Sequence, residues 1–118
     1  MEPKTYAYLT MTSGPWVGAQ FALDPAQETR IGRGNDCQIL LNDPRCSRVH
    51  AIIELRRDAW WIRDSGSTNG TFVNGQKVDE AQLAPGNILR VGPAEFEFQG
   101  NDPGPGESVG KEERATQT

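Results

Sequence analysis

Helical periodicity is hard to find in this chain; short runs of alternating or β-branched residues recur instead about every eight to twelve positions, separated by clusters of Gly, Pro, Asn and Asp. Such a rhythm suits strands of a few residues joined by tight turns. The runs fall at Thr5–Thr12, Gln20–Leu23, Glu28–Ile31, Gln38–Leu40, His50–Arg56, Ala59–Arg63, Thr71–Val73, Gln76–Val78, Asn87–Val91 and Ala94–Gln99. In the fifth, Ala51, Ile53 and Leu55 share one face; in the last, Phe96 and Phe98 point one way and Glu95, Glu97 and Gln99 the other. Arg57-Asp58 fits a two-residue turn, and Asn74-Gly75 is a strong hairpin signal because both residues tolerate positive φ. The pattern predicts an all-β sandwich of two sheets built from short antiparallel strands.

At 118 residues there is room for one domain, and 36% apolar residues fill one compact core. Residues 101–118 carry one branched apolar side chain among Pro, Gly and charged residues, too little burial to offset the entropy of ordering them. A domain over 1–100 followed by a disordered tail or linker is therefore expected. The formal net charge is −4. The tail, with four acids and two bases, accounts for −2 of it and leaves the folded part near neutral. A near-neutral domain lacks the basic footprint that nucleic acid or an anionic membrane calls for, so neither is an expected partner. Cys37 and Cys46 lie in polar, loop-like surroundings without metal-ligand spacing, so reduced thiols and no metal are expected. No apolar run approaches the roughly 18 residues of a membrane span, and the N-terminus lacks signal-peptide character, which points to a cytoplasmic protein.

Three polar loops interrupt the strand rhythm. The first follows Arg30-Ile31-Gly32-Arg33-Gly34, where glycines permit tight turning and Arg33 offers a planar fork of donors for phosphate or carboxylate. Neither a long helix nor a Lys-Ser/Thr pair follows, so this is not a nucleotide loop. The second, Pro44-Arg45-Cys46-Ser47-Arg48-Val49-His50, places a hydroxyl between arginines, a chemistry that cradles anions. An enzyme reading would make Ser47 a nucleophile, His50 its base and Asp64 the orienting carboxylate, but no Gly-x-Ser-x-Gly elbow is present and a direct Ser47–His50 contact would need a turn. A structural histidine tying the loop is the simpler expectation. The third loop runs from Asp64 into Ser67-Thr68-Asn69-Gly70-Thr71-Phe72-Val73-Asn74-Gly75; the Asn69 amide can donate and accept like a strand partner for a peptide backbone.

In this order, Gly32-Arg33, Ser47-x-x-His50 and Ser67-Thr68-Asn69-Gly70-Thr71-x-Val73-Asn74-Gly75 resemble the forkhead-associated (FHA) family, over roughly Lys4 to Gln99. The resemblance implies a two-sheet β-sandwich of about eleven short, mainly antiparallel strands with binding loops at one end. It also implies a phosphothreonine-peptide recognition module in Ser/Thr kinase signalling, working as a monomer without cofactor or catalytic residues. By position, Arg33 and Ser47 would hold the phosphate, Arg48 and Thr68 would contact it or its neighbourhood, and Asn69 would bond the peptide main chain. Arg45 would add a further positive contact, and Gly32, His50 and Gly70 would support the site. A structural interaction domain with this fold that binds its partner independently of phosphate is the alternative, separable by matched phosphorylated and unphosphorylated peptides.

Overall fold

The computed structural model describes residues 7–100. The expected start of the first strand at Thr5 and the expected disordered tail over 101–118 lie outside the described residues. Within them the chain forms β1 (Ala7–Ser13), β2 (Gln20–Leu23), β3 (Thr29–Gly32), β4 (Ile39–Leu40), β5 (Ala51–Arg56), β6 (Ala59–Asp64), β7 (Thr71–Val73), β8 (Gln76–Val78), β9 (Glu80–Gln82), β10 (Ile88–Val91) and β11 (Ala94–Gly100). They make two sheets: six strands in the order β2-β1-β11-β10-β7-β8 and five in the order β4-β3-β5-β6-β9. Strands β8 and β9 are consecutive at one edge of the sandwich, which leaves β2 and β4 as the edges of the other side.

Alternation builds the core. Leu9 and Met11 of β1, Phe96 and Phe98 of β11, Leu89 and Val91 of β10, Ile53 of β5 and Trp60 and Ile62 of β6 are almost fully buried between the sheets. The solvent face of the five-stranded sheet carries charges that pair across strands: Arg63 reaches Glu28 and Glu54, and Arg56 reaches Glu54 and Glu80. Exposed pairs of this kind add little stability each.

Two pairings depart from the sequence reading. β4 runs parallel to β3, with Ile31 opposite Ile39, the one parallel pairing among strands expected to be mainly antiparallel. The chain leaves β3 at Gly32, turns through a Cys37 N–H bond to the Gly34 carbonyl, and returns to the same edge in the same direction. β9 is an added strand that has a single apolar residue, Ala81, to mark it; it forms because β6 offers a free edge, pairing Ile62 with Ala81. Cys46, expected in polar loop surroundings, is buried at 2% exposure, and burial pushes its thiol pKa up. Neither cysteine is in a disulfide.

Both turn expectations hold. Arg56 pairs with Ala59 around Arg57, whose φ is 58°. Val73 pairs with Gln76 around Asn74 and Gly75, at φ 52° and 83°. A methyl group at Gly75 would meet nothing within 4 Å, so only the left-handed backbone opposes it. Gly75→Ala should therefore lower unfolding free energy by about 1 to 2 kcal/mol without disturbing the rest of the sandwich, as measured by chemical denaturation.

Candidate functional site

Register places the polar loops together. Ile31 pairs with Ala51 and Ala51 with Asp64, while across the sandwich Thr71 pairs with Val91 and Val91 with Ala94. The ends of β3, β6 and β10 and the starts of β5, β7 and β11 thus share one end of the molecule, where the Thr71 hydroxyl donates to Asp64 Oδ1 at 2.8 Å and ties one sheet to the other.

His50 sits at the middle of this end with no exposed surface. Its Nδ1 accepts the Ser47 backbone N–H at 3.2 Å, and its Nε2 lies 2.8 Å from the Gly70 carbonyl. A carbonyl only accepts and an amide N–H only donates, so the ring is the neutral tautomer protonated on Nε2. The enzyme reading fails on this geometry: both ring nitrogens face backbone, and the Asp64 carboxylate faces Ser67 and Thr71 instead of the imidazole. The turn that a Ser47–His50 contact requires does exist, but it delivers the serine amide and not its hydroxyl.

The β3–β4 loop docks on the β4–β5 loop through backbone. Arg33 N–H donates to the Ser47 carbonyl at 3.0 Å and Gly34 N–H to the Arg48 carbonyl at 2.9 Å. Gly32 is required by this approach, because a Cβ there would lie 2.5 Å from the Arg48 oxygen and 2.9 Å from His50 N. The Arg33 side chain is exposed and spends only its Nε, on the Cys46 carbonyl at 3.0 Å; its two terminal nitrogens have no protein acceptor among the described residues. Ser47 Oγ accepts the Thr68 N–H at 3.1 Å, and its hydroxyl donates to no protein acceptor among the described residues. Arg48 is exposed, its carbonyl held by Gly34 N–H and the Cys37 thiol, and its guanidinium has no carboxylate partner among the described residues. Thr68 is exposed beside Ser47.

Asn69 and Arg45 join the loops from the other side. Asn69 Nδ2 donates to the Arg45 carbonyl at 2.9 Å, so the amide is held while its oxygen stays open. The Arg45 side chain, by contrast, is clamped: Nε and Nη2 bond both oxygens of Asp43 at 2.9 and 3.0 Å. Hydrogen bonding from Arg45 holds the Asp43 carboxyl down at about 2, so this pair stays charged on both sides at neutral pH. Arg33, Ser47, Arg48, Thr68 and Asn69 are thus brought together, whereas Arg45 stands at their margin with its charge matched by Asp43.

Asp64 and Ser67, which the sequence reading named in the third loop without a role in holding the site, are site-building residues. Asp64 accepts from the Ser67 amide and hydroxyl and from the Thr71 hydroxyl, and Ser67 Oγ in turn accepts the Gly70 N–H at 2.9 Å. Gly70, at φ 93°, can then aim its carbonyl at His50. The available signal was an aspartate three residues before a serine at a strand end, the sequence of a side-chain-closed turn. Burial pushes the Asp64 carboxyl up, but the bonds from Ser67 and Thr71 outweigh it and hold the group below its ordinary value. Its folded pKa lies under the unfolded one. The stabilisation is therefore present above about pH 4 and lost as pH falls through the lowered value. Asp64→Asn should lower stability by about 1 to 3 kcal/mol at pH 7, and the deficit should shrink as pH falls below about 4, in paired thermal or denaturant melts.

The FHA domain profile matches residues 29–92, the stretch that holds the three loops. The glycogen accumulation regulator GarA of Mycobacterium tuberculosis is 39% identical over 107 residues, a match covering 86% of this chain and 65% of GarA. This chain therefore spans just under two thirds of the length of that relative. A solved FHA domain studied for phosphothreonine-dependent interactions superposes with a TM-score of 0.71 at 35% identity, over 80% of this chain and 95% of that one. Mycobacterium tuberculosis EmbR, solved with a low-affinity phosphopeptide, gives 0.74 at 32% identity, over 82% of this chain and 25% of EmbR. Loops, sandwich and matched profile coincide in one stretch of sequence, and this chain belongs to the FHA domain family.

Proposed function

We propose that this domain recruits proteins phosphorylated on threonine, reading the phosphate with Arg33, Ser47, Arg48 and Thr68 and the adjoining peptide main chain with Asn69. The observation that carries the reading is how cations and donors are distributed. Arg30, Arg45, Arg56 and Arg63 each bond a carboxylate of the protein itself. Arg33 and Arg48, like Arg57 and Arg90, have no such partner among the described residues, and of these they alone flank Ser47, whose hydroxyl accepts the Thr68 N–H and donates to no protein group among the described residues. A phosphate near −2 offers only acceptors at neutral pH, which matches that set in sign and in hydrogen-bond type. The two solved relatives with phosphothreonine or phosphopeptide binding support the same chemistry.

The reading makes the chain a monomeric, non-catalytic binder of a cytoplasmic phosphoprotein in Ser/Thr kinase signalling, with no metal, cofactor, nucleic acid or lipid in its task. Among the described residues no helix is long and apolar enough to cross a membrane.

Arg33 provides the test. Each charge-assisted bond to phosphate is worth about 1.5 to 3 kcal/mol, so Arg33→Ala should weaken a phosphothreonine peptide by about tenfold to a hundredfold or more. Its stability should fall by only about 1 kcal/mol, the bond to the Cys46 carbonyl. Arg33→Lys should recover part of the affinity, since an ammonium keeps the charge but not the planar fork. Wild-type affinity should decline below about pH 6, where phosphate takes up its second proton. Calorimetric titration with a matched unphosphorylated control decides the matter; equal binding of the two peptides, or undiminished binding by Arg33→Ala, refutes phosphate reading.

A further inference from the structure

In the reading above, Asn69 meets the peptide main chain with its amide oxygen, and it does so at little entropic cost only if the amide already faces the right way. Its Nδ2 donates to the Arg45 carbonyl at 2.9 Å, so that carbonyl sets the direction. The carbonyl belongs to no strand: Arg45 lies between β4 and β5, in the turn Asp43-Pro44-Arg45-Cys46. Whatever fixes this turn therefore fixes Asn69.

Asp43 closes the turn with every polar group it has. Its N–H donates to the Leu41 carbonyl at 2.9 Å, and its own carbonyl accepts the Cys46 N–H at 2.9 Å, with Asp first and Pro second as a type I turn favours. Oδ1 accepts the Arg45 N–H at 2.8 Å, the side-chain bond to the second residue along that closes such a turn from within. Oδ1 also takes Arg45 Nε, and Oδ2 takes Nη2. Arg45 is thereby held at its amide and at its guanidinium, with its carbonyl on Asn69. The Arg45 side chain is 65% exposed, so as an ion pair the clamp is worth little; the consequence lies in the turn it shapes. Among the described residues, Asp43 makes no hydrogen bond to Arg33, Ser47, Arg48, Thr68 or Asn69.

We infer that Asp43 is a positioning residue for phosphopeptide binding, acting on Asn69 through the Arg45 carbonyl without a contact of its own to the ligand. The inference rests on the phosphothreonine reading above and adds to it a carboxylate that serves an anion site by backbone geometry, not by charge. Geometry and charge are separable by substitution. Asn keeps an oxygen where Oδ1 stands and drops the charge, whereas Glu keeps the charge and, one methylene longer, loses the turn-closing bond.

The test titrates a phosphothreonine peptide in a Ser/Ala background against wild type, Asp43→Ala, Asp43→Glu and Asp43→Asn. Thermal melts identify the variants that are folded at the titration temperature; if Asp43→Ala is not, Asp43→Glu carries the comparison. Asp43→Ala and Asp43→Glu should each bind about three- to tenfold more weakly, the worth of one ordinary hydrogen bond. Asp43→Asn should bind within about twofold of wild type, because its amide oxygen still accepts the Arg45 N–H. In an Asn69→Ala background the penalty of the weaker variant should fall below about twofold, since the group being positioned is gone. Nitrogen-correlated NMR of the free proteins supplies a readout that general loss of stability does not move: the two Asn69 amide protons should lose their hydrogen-bonded shift difference in Asp43→Ala and Asp43→Glu and keep it in Asp43→Asn. Wild-type protein that binds no phosphopeptide removes the phosphothreonine reading and this inference with it. Given wild-type binding, Asp43→Glu that binds normally while Asp43→Asn does not would assign the effect to charge and overturn positioning alone. So would a rise in affinity on losing the carboxylate, an Asn69 signal unchanged in Asp43→Ala and Asp43→Glu, or a full penalty persisting without Asn69.

Discussion

Every polar group of His50 is spent on a different piece of the binding end. Its N–H bonds the Ile31 carbonyl, its carbonyl accepts the Ser65 N–H, and its ring bridges Ser47 to Gly70. The strand that ends in Gly32, the anion loop and both ends of the β6–β7 loop are therefore set by one residue with no exposed surface. A buried, fully satisfied network of this kind holds a single arrangement, since any alternative would orphan several groups at once. Gly32 lets the frame close, because the Ser47 and Arg48 carbonyls pass where a side chain would stand.

Given that frame, the groups proposed to read the phosphopeptide are directed by what they have already spent. Ser47 accepts one bond and so must donate elsewhere; Arg33 gives one nitrogen to Cys46 and keeps its fork; Asn69 gives one hydrogen to Arg45 and keeps its oxygen. Donors held in place before binding lose little entropy when the ligand arrives, which is how a few contacts can serve a transient signalling interface. In the proposed reading, local availability of charge does the selecting and the near-neutral whole does not.

Strand rhythm, the Asn74-Gly75 and Arg57-Asp58 turns and the inward Phe96 and Phe98 were legible because each depends on neighbours in sequence alone. The residues that converge at the site were legible through ordered motifs. What escaped depends on partners distant in the chain. β9 exists because β6 has an open edge, and β4 is parallel because its loop doubles back. Cys46 is buried because the β10–β11 turn packs on it: a Cβ at Gly92 would collide with its sulfur. Arg45 and Asp43 are only two residues apart, yet either could have turned to solvent; that they clamp each other is a property of the folded turn. Asp64 was visible as a carboxylate but not as the acceptor of three bonds, since all three come from Ser67 and Thr71 only once those residues are placed.

His50 is the sole histidine of the chain, so its imidazole can be observed without ambiguity. Long-range proton–nitrogen correlation NMR of the free domain at neutral pH reports which ring nitrogen carries the proton and how fast that proton exchanges. The account predicts the Nε2-protonated neutral tautomer, with its proton slow to exchange in the absence of any peptide. An Nδ1-protonated ring, or a proton exchanging freely with water until phosphopeptide is added, would contradict a binding end pinned by His50 before its ligand arrives.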